Sequence, residues 1–287
     1  MPPKPKPTTR AAQKSLLEPT TPSAFSSLED ETLIIRGVWY GDPGTRKTTA
    51  MATMANLGKV VVIDTENGLK IGPLKKHGVN VSNIMLIKSS DVTFTRLEDL
   101  IAQLMDDVAL GDTNIIGVVW DSVTATYNRL TANVVTNAVE KSRRMGTERL
   151  SWKTHKEDYG DSVTQTKIIL RGLRDQPVHL AISAHSRRDQ DEDGFVRIAP
   201  SVSPALQSDL FAFSDIMVRM DLLQSDELVV GYGLTKPVGR FECKDRFDTL
   251  PSNMVSPTFE RVHGYLTGGL TAENDEVQLR IAKLLQS

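Results

Sequence analysis

Tyr40-Gly-Asp-Pro-Gly-Thr-Arg-Lys-Thr-Thr49 is the stretch on which the reading of this chain turns. An apolar run, Leu33-Ile34-Ile35 through Val38-Trp39, leads in and reads as a strand. Lys47 to Leu57 leads out and suits a helix. A turn between a strand end and a helix N-terminus gathers unpaired backbone N–H groups around one point, and the helix dipole adds positive potential there. Triphosphates bind at such points. Gly41, Asp42, Pro43, Gly44, Thr45, Arg46, Lys47, Thr48 and Thr49 would wrap the phosphates. Lys47 would reach the β- and γ-phosphates, and the Thr48 hydroxyl would hold Mg²⁺.

The stretch departs from G-x-x-x-x-G-K-[ST] at one place: Arg46 stands where the second glycine belongs. The backbone there turns tightly, often with φ above zero, which costs a non-glycine residue roughly 1–2 kcal/mol. Gly44, two residues earlier, would take up part of the turn. A chance Gly/Pro turn before a helix has a similar composition, but it does not place strand, loop, Lys-Thr and helix in this order.

With 287 residues the chain suffices for one large α/β domain with a sizeable core. Charge is balanced, 34 basic against 36 acidic residues, so contact with nucleic acid must come from local patches. A single cysteine, Cys243, excludes a disulfide framework and a multi-cysteine zinc site and fits a reducing cytoplasm. No apolar run approaches membrane-spanning length and no signal peptide is visible, so no membrane partner is expected.

Residues 1–28 are rich in Pro, Thr and Ser and carry Lys4, Lys6, Arg10 and Lys14 before the first acid, Glu18. They read as a disordered basic tail. The folded core is expected over 29–250, and 251–287 as an extension with an amphipathic helix near Ala272–Leu285. Within the core, Lys59–Asp64, Ile115–Trp120 and Val178–Ser183 are short apolar runs typical of buried parallel strands, and Ile84–Ile87 is a further apolar run. Between them lie helical periods, one of them opened by a capping box of Thr95 and Glu98. Residues 141–160 read as an irregular basic loop, with Asp161 capping a helix that runs to Asp175. Ser186–Arg197 reads as a charged loop, and Ile216–Met220 with Leu228–Tyr232 as a hairpin. This alternation predicts an α/β fold: a mainly parallel sheet, helices on both faces, antiparallel strands added late in the chain.

Ligands of such sheets bind beyond the C-terminal strand ends. Glu66, Asp121 and His185 each follow an apolar strand run, so they are expected to converge on the phosphate loop. Asp121 would hold the Mg²⁺ shell, although a plain helix N-cap uses the same residue type. Glu66 would polarise the attacking water, with Asp64 as its competitor. His185 would sense the γ-phosphate, although a strand-end histidine is more often a capping or packing residue.

The order GDPGTRKTT, VVVIDTE, IIGVVWDS, HLAISAH resembles the RecA-like P-loop ATPase core. The likeness extends to phage proteins of the AAA-type ATP-binding and single-strand-annealing (Sak-like) group, through Phe213–Arg219 and Lys244–Phe247, and covers about residues 32–250. The resemblance implies a RecA-like fold, ATP with Mg²⁺, hydrolysis aided by Glu66, and γ-phosphate sensing by His185. It also implies that Lys244 and Arg246 reach a neighbouring subunit's ATP. Two loops, here about 141–160 and 186–198, would bind single-stranded DNA. In the first, Arg143, Arg144, Arg149 and Lys153 would meet phosphates and Trp152 would stack on a base. Single-stranded DNA, further copies of the chain in a ring or filament, and a single-strand-binding protein are the expected partners, in the host cytoplasm if the chain is phage-encoded. A nucleotide-binding regulatory or assembly protein with little turnover, and a helicase-like motor or loader, share the same core.

Overall fold

A computed structural model describes residues 32–109, 114–147, 149–150, 153–190, 193–224 and 229–284. The phosphate-loop strand, β1 (Arg36–Gly41), lies inside a ten-stranded sheet. Its parallel neighbours are β5 (His179–Gln190) on one side and β7 (Ile216–Gln224) on the other. Beyond β5 follow β4 (Ile115–Asp121), β2 (Lys59–Asp64) and the edge strand β3 (Ile84–Lys88), all parallel. Beyond β7 follow β8 (Val229–Leu234) and β10 (Asn253–Val255), with antiparallel pairings. Two short strands branch off, β6 (Val196–Pro200) on β5 and β9 (Lys244–Asp245) on β7. The expected architecture is therefore present: a mainly parallel sheet with antiparallel strands late in the chain.

Residues alternate across the sheet. Val38, Tyr40, Val61, Ile63, Val118, Trp120, Leu180 and Ile182 belong to one buried cluster. The cluster includes residues of α3 (Phe94–Ala109), α5 (Lys156–Arg174) and α6 (Pro204–Phe213). Trp39, the residue between Val38 and Tyr40, faces the other way. Its indole N–H donates to the Pro257 carbonyl at 2.7 Å, and its ring lies 6.0 Å from that of Phe259. Phe259 opens α7 (Phe259–Leu266), which packs beside α1 (Lys47–Ala52) and the 3₁₀ turn Thr53–Asn56. A period of two in the strands thus feeds a helical layer on each face. The sheet continues past residue 250, because β10 pairs with β8 and α8 (Glu276–Leu284) packs on β10.

Several local expectations are corrected. α3 starts at Phe94 and Thr93 accepts the Arg96 N–H at 3.2 Å, so Thr95 sits inside the first turn instead of capping it. Lys141–Arg144 are not loop but the last turn of α4 (Val123–Arg144). α5 begins at Lys156, where Asp158 accepts the His155 N–H at 2.7 Å, five residues before Asp161. The segment after His185 is not an irregular loop either. β5 runs on to Gln190 and pairs with β6, Ser186 opposite Pro200 and Gln190 opposite Val196. The basic tail at 1–28 and Trp152 lie outside the described residues.

Candidate nucleotide-binding site

The loop between β1 and α1 carries two left-handed residues, Gly44 at φ 83° and Arg46 at φ 66°. The sequence position that ordinarily takes glycine thus has the backbone a glycine would supply, and the arginine bears its cost, about 1–2 kcal/mol. Gly41 is needed for a different reason. A Cβ there would lie 2.5 Å from the Met220 carbonyl oxygen and 2.8 Å from an Arg219 guanidinium nitrogen. The Arg46 side chain is half-buried in a small cavity with Thr49, His77, Met220 and Pro257. Burial first, then the charges of Arg46 and Lys76, depress the His77 pKa. Arg46→Gly should relieve the strain and tighten ATP binding by up to about tenfold, measured by calorimetric titration. Weaker binding instead would mean that the guanidinium itself holds the nucleotide.

Lys47 is 8% exposed. Its ammonium donates to the carbonyls of Gly41 at 2.9 Å and Asp42 at 2.8 Å, so it lies across the mouth of the loop. Burial lowers its pKa, while Asp121, Glu66 and Asp42 pull it back up. Next along α1, the Thr48 hydroxyl donates to Asp121 Oδ2 at 2.5 Å. The other Asp121 oxygen accepts the hydroxyl of Ser183, a buried residue on β5. β5 lies between β1 and β4, which is why Ser183 reaches the end of β4.

Asp121 does not cap α4. Ser122 does, accepting the Ala125 N–H at 3.1 Å, and this leaves the Asp121 carboxylate free for the site. Burial raises the Asp121 pKa, and the negative charges of Glu66 and Asp64 add to that against the two hydroxyl bonds. A buried carboxylate with surplus negative charge around it and a threonine hydroxyl in contact suits a hard cation such as Mg²⁺. The sign has a consequence for stability. A carboxyl whose folded pKa is raised loses stability as pH rises through that pKa, so ionised Asp121 burdens the free protein near neutrality. Asp121→Asn should therefore raise the melting temperature without nucleotide, about 2–4 °C for each kcal/mol recovered, and, with Asp121 as a cation ligand, should weaken the binding of Mg–ATP. Thermal unfolding with and without Mg–ATP measures both. A lower melting temperature would contradict the charge argument.

Glu66 follows the end of β2. Its Oε1 accepts the Ser122 hydroxyl and lies 2.9 Å from His185 Nε2. The hydrogen bond from His185 is the main cause that holds the Glu66 pKa below the usual carboxylate range, with Ser122 and Lys47 helping and burial opposing. Asp64, the competing base, is occupied: it accepts the backbone N–H groups of Gly68 at 2.9 Å and Leu69 at 3.0 Å. Glu66, Asp121, Lys47 and Thr48 are thus brought together at the C-terminal ends of β1, β2 and β4, beside His185 on β5, which is level with Gly41. Sequence reasoning missed Ser122, Ser183 and Arg219. The N-cap preference of serine before α4 signalled the first, and the two-residue spacing from His185 along one strand signalled the second. Only the tertiary fold reveals Arg219.

The remaining residues lie elsewhere. Lys244 pairs with Met217, which is level with Val38. That is three residues, about 10 Å, from Gly41 toward the far end of the sheet. Lys244 donates to the Phe211 carbonyl at 2.7 Å, and Arg246 bonds to Asp215 at 2.8 Å and to the Ala212 carbonyl at 3.2 Å. Both side chains therefore tie down the C-terminal end of α6, where cations complement the helix dipole. Arg143 and Arg144 stand exposed at the end of α4, with Arg144 3.8 Å from Glu140. Arg149 does not project outward. It is paired with the buried Asp158, and its Nε has no hydrogen-bond partner. Lys153 is exposed.

The AAA domain family matches residues 34–249, three quarters of the sequence, and the chain belongs to that family. With its phosphate loop and the cluster facing it, the chain is a P-loop nucleotide-binding domain of ATPase type. Among solved structures it is similar to one described as the crystal structure of the RadB recombinase, at 19% identity and a TM-score of 0.44. That match covers 71% of this chain and 84% of the other. No curated protein matches. Among the described residues no helix is long and apolar enough to cross a membrane.

Proposed function

We propose that the protein binds ATP with Mg²⁺, hydrolyses it, and works as a multimer on single-stranded DNA in recombination, annealing or replication, in the manner of the phage RecA-like group its motifs resemble. The observation that carries the ATP half is the meeting of Lys47, Thr48, Asp121, Glu66 and His185 beside the ends of β1, β2 and β4. Lys47 and the loop N–H groups would hold the phosphates. Thr48 and Asp121 would hold Mg²⁺, which when bound neutralises charge developing on the transferred phosphoryl group. Glu66, kept ionised by His185 and Ser122, would accept the proton of the attacking water. His185 joins that carboxylate to β5, so a ligand that competes for either group is felt in the strand that continues into the β5–β6 hairpin.

The DNA half rests on the exposed Arg143, Arg144 and Lys153 and on Arg188 of the hairpin, where Arg187 and Arg197 are already paired with Asp189 and Glu242. Lys244 and Arg246 are bonded at the end of α6, away from their own phosphate loop; in this reading they serve a neighbouring copy, and a single-strand-binding protein is a further partner. The test is ATP turnover by the purified protein with and without single-stranded DNA. Strong stimulation supports the proposal. A second reading, an ATP-binding regulatory or assembly protein with little turnover, is favoured by the strained Arg46 alone. Tight ATP binding with no turnover in either condition would select it.

A further inference from the structure

We infer that Arg219 and Asp42 form a charge pair that sets the strength with which the phosphate loop holds a nucleotide: the Asp42 carboxylate takes up guanidinium charge that the phosphates would otherwise use. The inference rests on the nucleotide-binding reading above and assigns an affinity-setting pair within that site.

Arg219 lies on β7, level with Tyr40, the residue before the loop. It is 6% exposed. One guanidinium nitrogen bonds to the Met220 carbonyl and is the atom that a Cβ on Gly41 would meet at 2.8 Å. The other lies 3.6 Å from Asp42 and 3.8 Å from Asp221. The group also lies against the rings of Tyr40, 5.9 Å away, and Phe241, 5.7 Å away. Its Nε is buried and has no hydrogen-bond partner. Leaving a buried charged donor unpaired is costly, and an apolar residue of similar size would fill the space without that cost. Packing therefore does not account for an arginine here; its charge, directly behind the first turn of an anion-binding loop, does.

Asp42 is the converse anomaly. It places a carboxylate, 67% exposed, on a loop built to receive phosphates. It is held from both sides, by the Ser186 hydroxyl of β5 and by Arg219 of β7. Its carbonyl, 2.8 Å from the Lys47 ammonium, belongs to the same turn. Lys47 already registers both charges, since Asp42 raises its proton affinity and Arg219 lowers it. A phosphate in the loop would experience them with the opposite preference.

Counting charge gives an order of affinities that a merely structural role would not produce. The pair contributes zero in the wild type, +1 in Asp42→Asn, −1 in Arg219→Gln and zero in the double variant. Titration of the full chain with Mg–ATP and Mg–ADP at about 0.15 M salt should show Asp42→Asn about tenfold tighter than wild type and Arg219→Gln about tenfold weaker. The double variant should return to within about threefold of wild type, and Arg219→Lys should remain near it. Thermal unfolding reports whether each variant folds. If Arg219→Gln does not fold, the exposed Asp42→Asn still decides by tightening or not. Unchanged or weaker binding by Asp42→Asn overturns the inference, as does a double variant as weak as Arg219→Gln alone. Wild-type protein that binds neither nucleotide removes the nucleotide-binding reading and this inference with it. Wild-type binding that is lost in Lys47→Ala but indifferent to Asp42→Asn removes the inference alone.

Discussion

Lys47→Ala loses ATP binding by about 10²–10⁴-fold while the protein stays folded. The estimate follows from two charge-assisted contacts to phosphate at roughly 1.5–3 kcal/mol each, made in a buried site where water does not substitute freely. Without nucleotide the same ammonium bonds to the Gly41 and Asp42 carbonyls and to the Thr45 hydroxyl, all at the end of β1 and in the turn that follows it. Its pKa is lowered by burial, so removing it also removes a desolvation burden, and the loss of folding stability should be small. Calorimetric titration with Mg–ATP, alongside a thermal melt, makes the measurement. Normal affinity in the folded variant would dispose of the phosphate-loop assignment.

Glu66→Gln keeps ATP binding within a few-fold and slows hydrolysis by about 10²–10⁴, the range a positioned general base supplies. Glutamine preserves the shape and the contacts to Ser122 and His185 but cannot take a proton from water. The pH profile adds a second check. Because the Glu66 pKa is depressed, with His185 the first cause, the group remains charged through the ordinary carboxylate range. Its stabilising contact is complete above the unfolded-state value of 4.5 and is lost only as pH falls through the lower folded value. Turnover limited by Glu66 should show no carboxylate titration near 4.5. Surviving turnover in Glu66→Gln would leave the proton to a water network, since Asp64 already accepts two backbone N–H groups.

The sites nearest the phosphate loop were legible because their chemistry forces their sequence. Lys59–Asp64 holds a continuous apolar run because β2 is covered on both faces, and it ends in a carboxylate that ties down the turn after it through the Gly68 and Leu69 N–H groups. Arg46 announced its backbone by standing in a glycine position. The β5–β6 hairpin was not legible. Beyond His185 the strand leaves the core, so Ser186, Arg187, Arg188 and Asp189 have no buried face to impose alternation. The end of α4 was hidden for the same reason, since Lys141, Arg143 and Arg144 form an exposed last turn. α6 was readable in hindsight. Ser203 caps it and Pro204 occupies its first turn, a start signal that a second proline nearby, Pro200, makes resemble a loop. Arg149 reads as a free cation by composition, and only folding reveals the aspartate nine residues on that claims it.

The continuity of β5 makes it a mechanical lever. Its first half is clamped between β1 and β4, and its fulcrum is at His185 and Ser186, the residues that touch Glu66 and Asp42. From His185 to Gln190 the free arm is five residues, about 17 Å, stiffened along its length by the rungs to β6. Behind it, Ile198 of β6 is pinned by the Tyr40 hydroxyl and by the backbone of Arg240 and Glu242. A shift of His185 or Ser186 on ligand binding would be carried along this paired arm toward Gln190. A distance probe at Gln190 would register the arrival or departure of a ligand at Glu66 without touching the site.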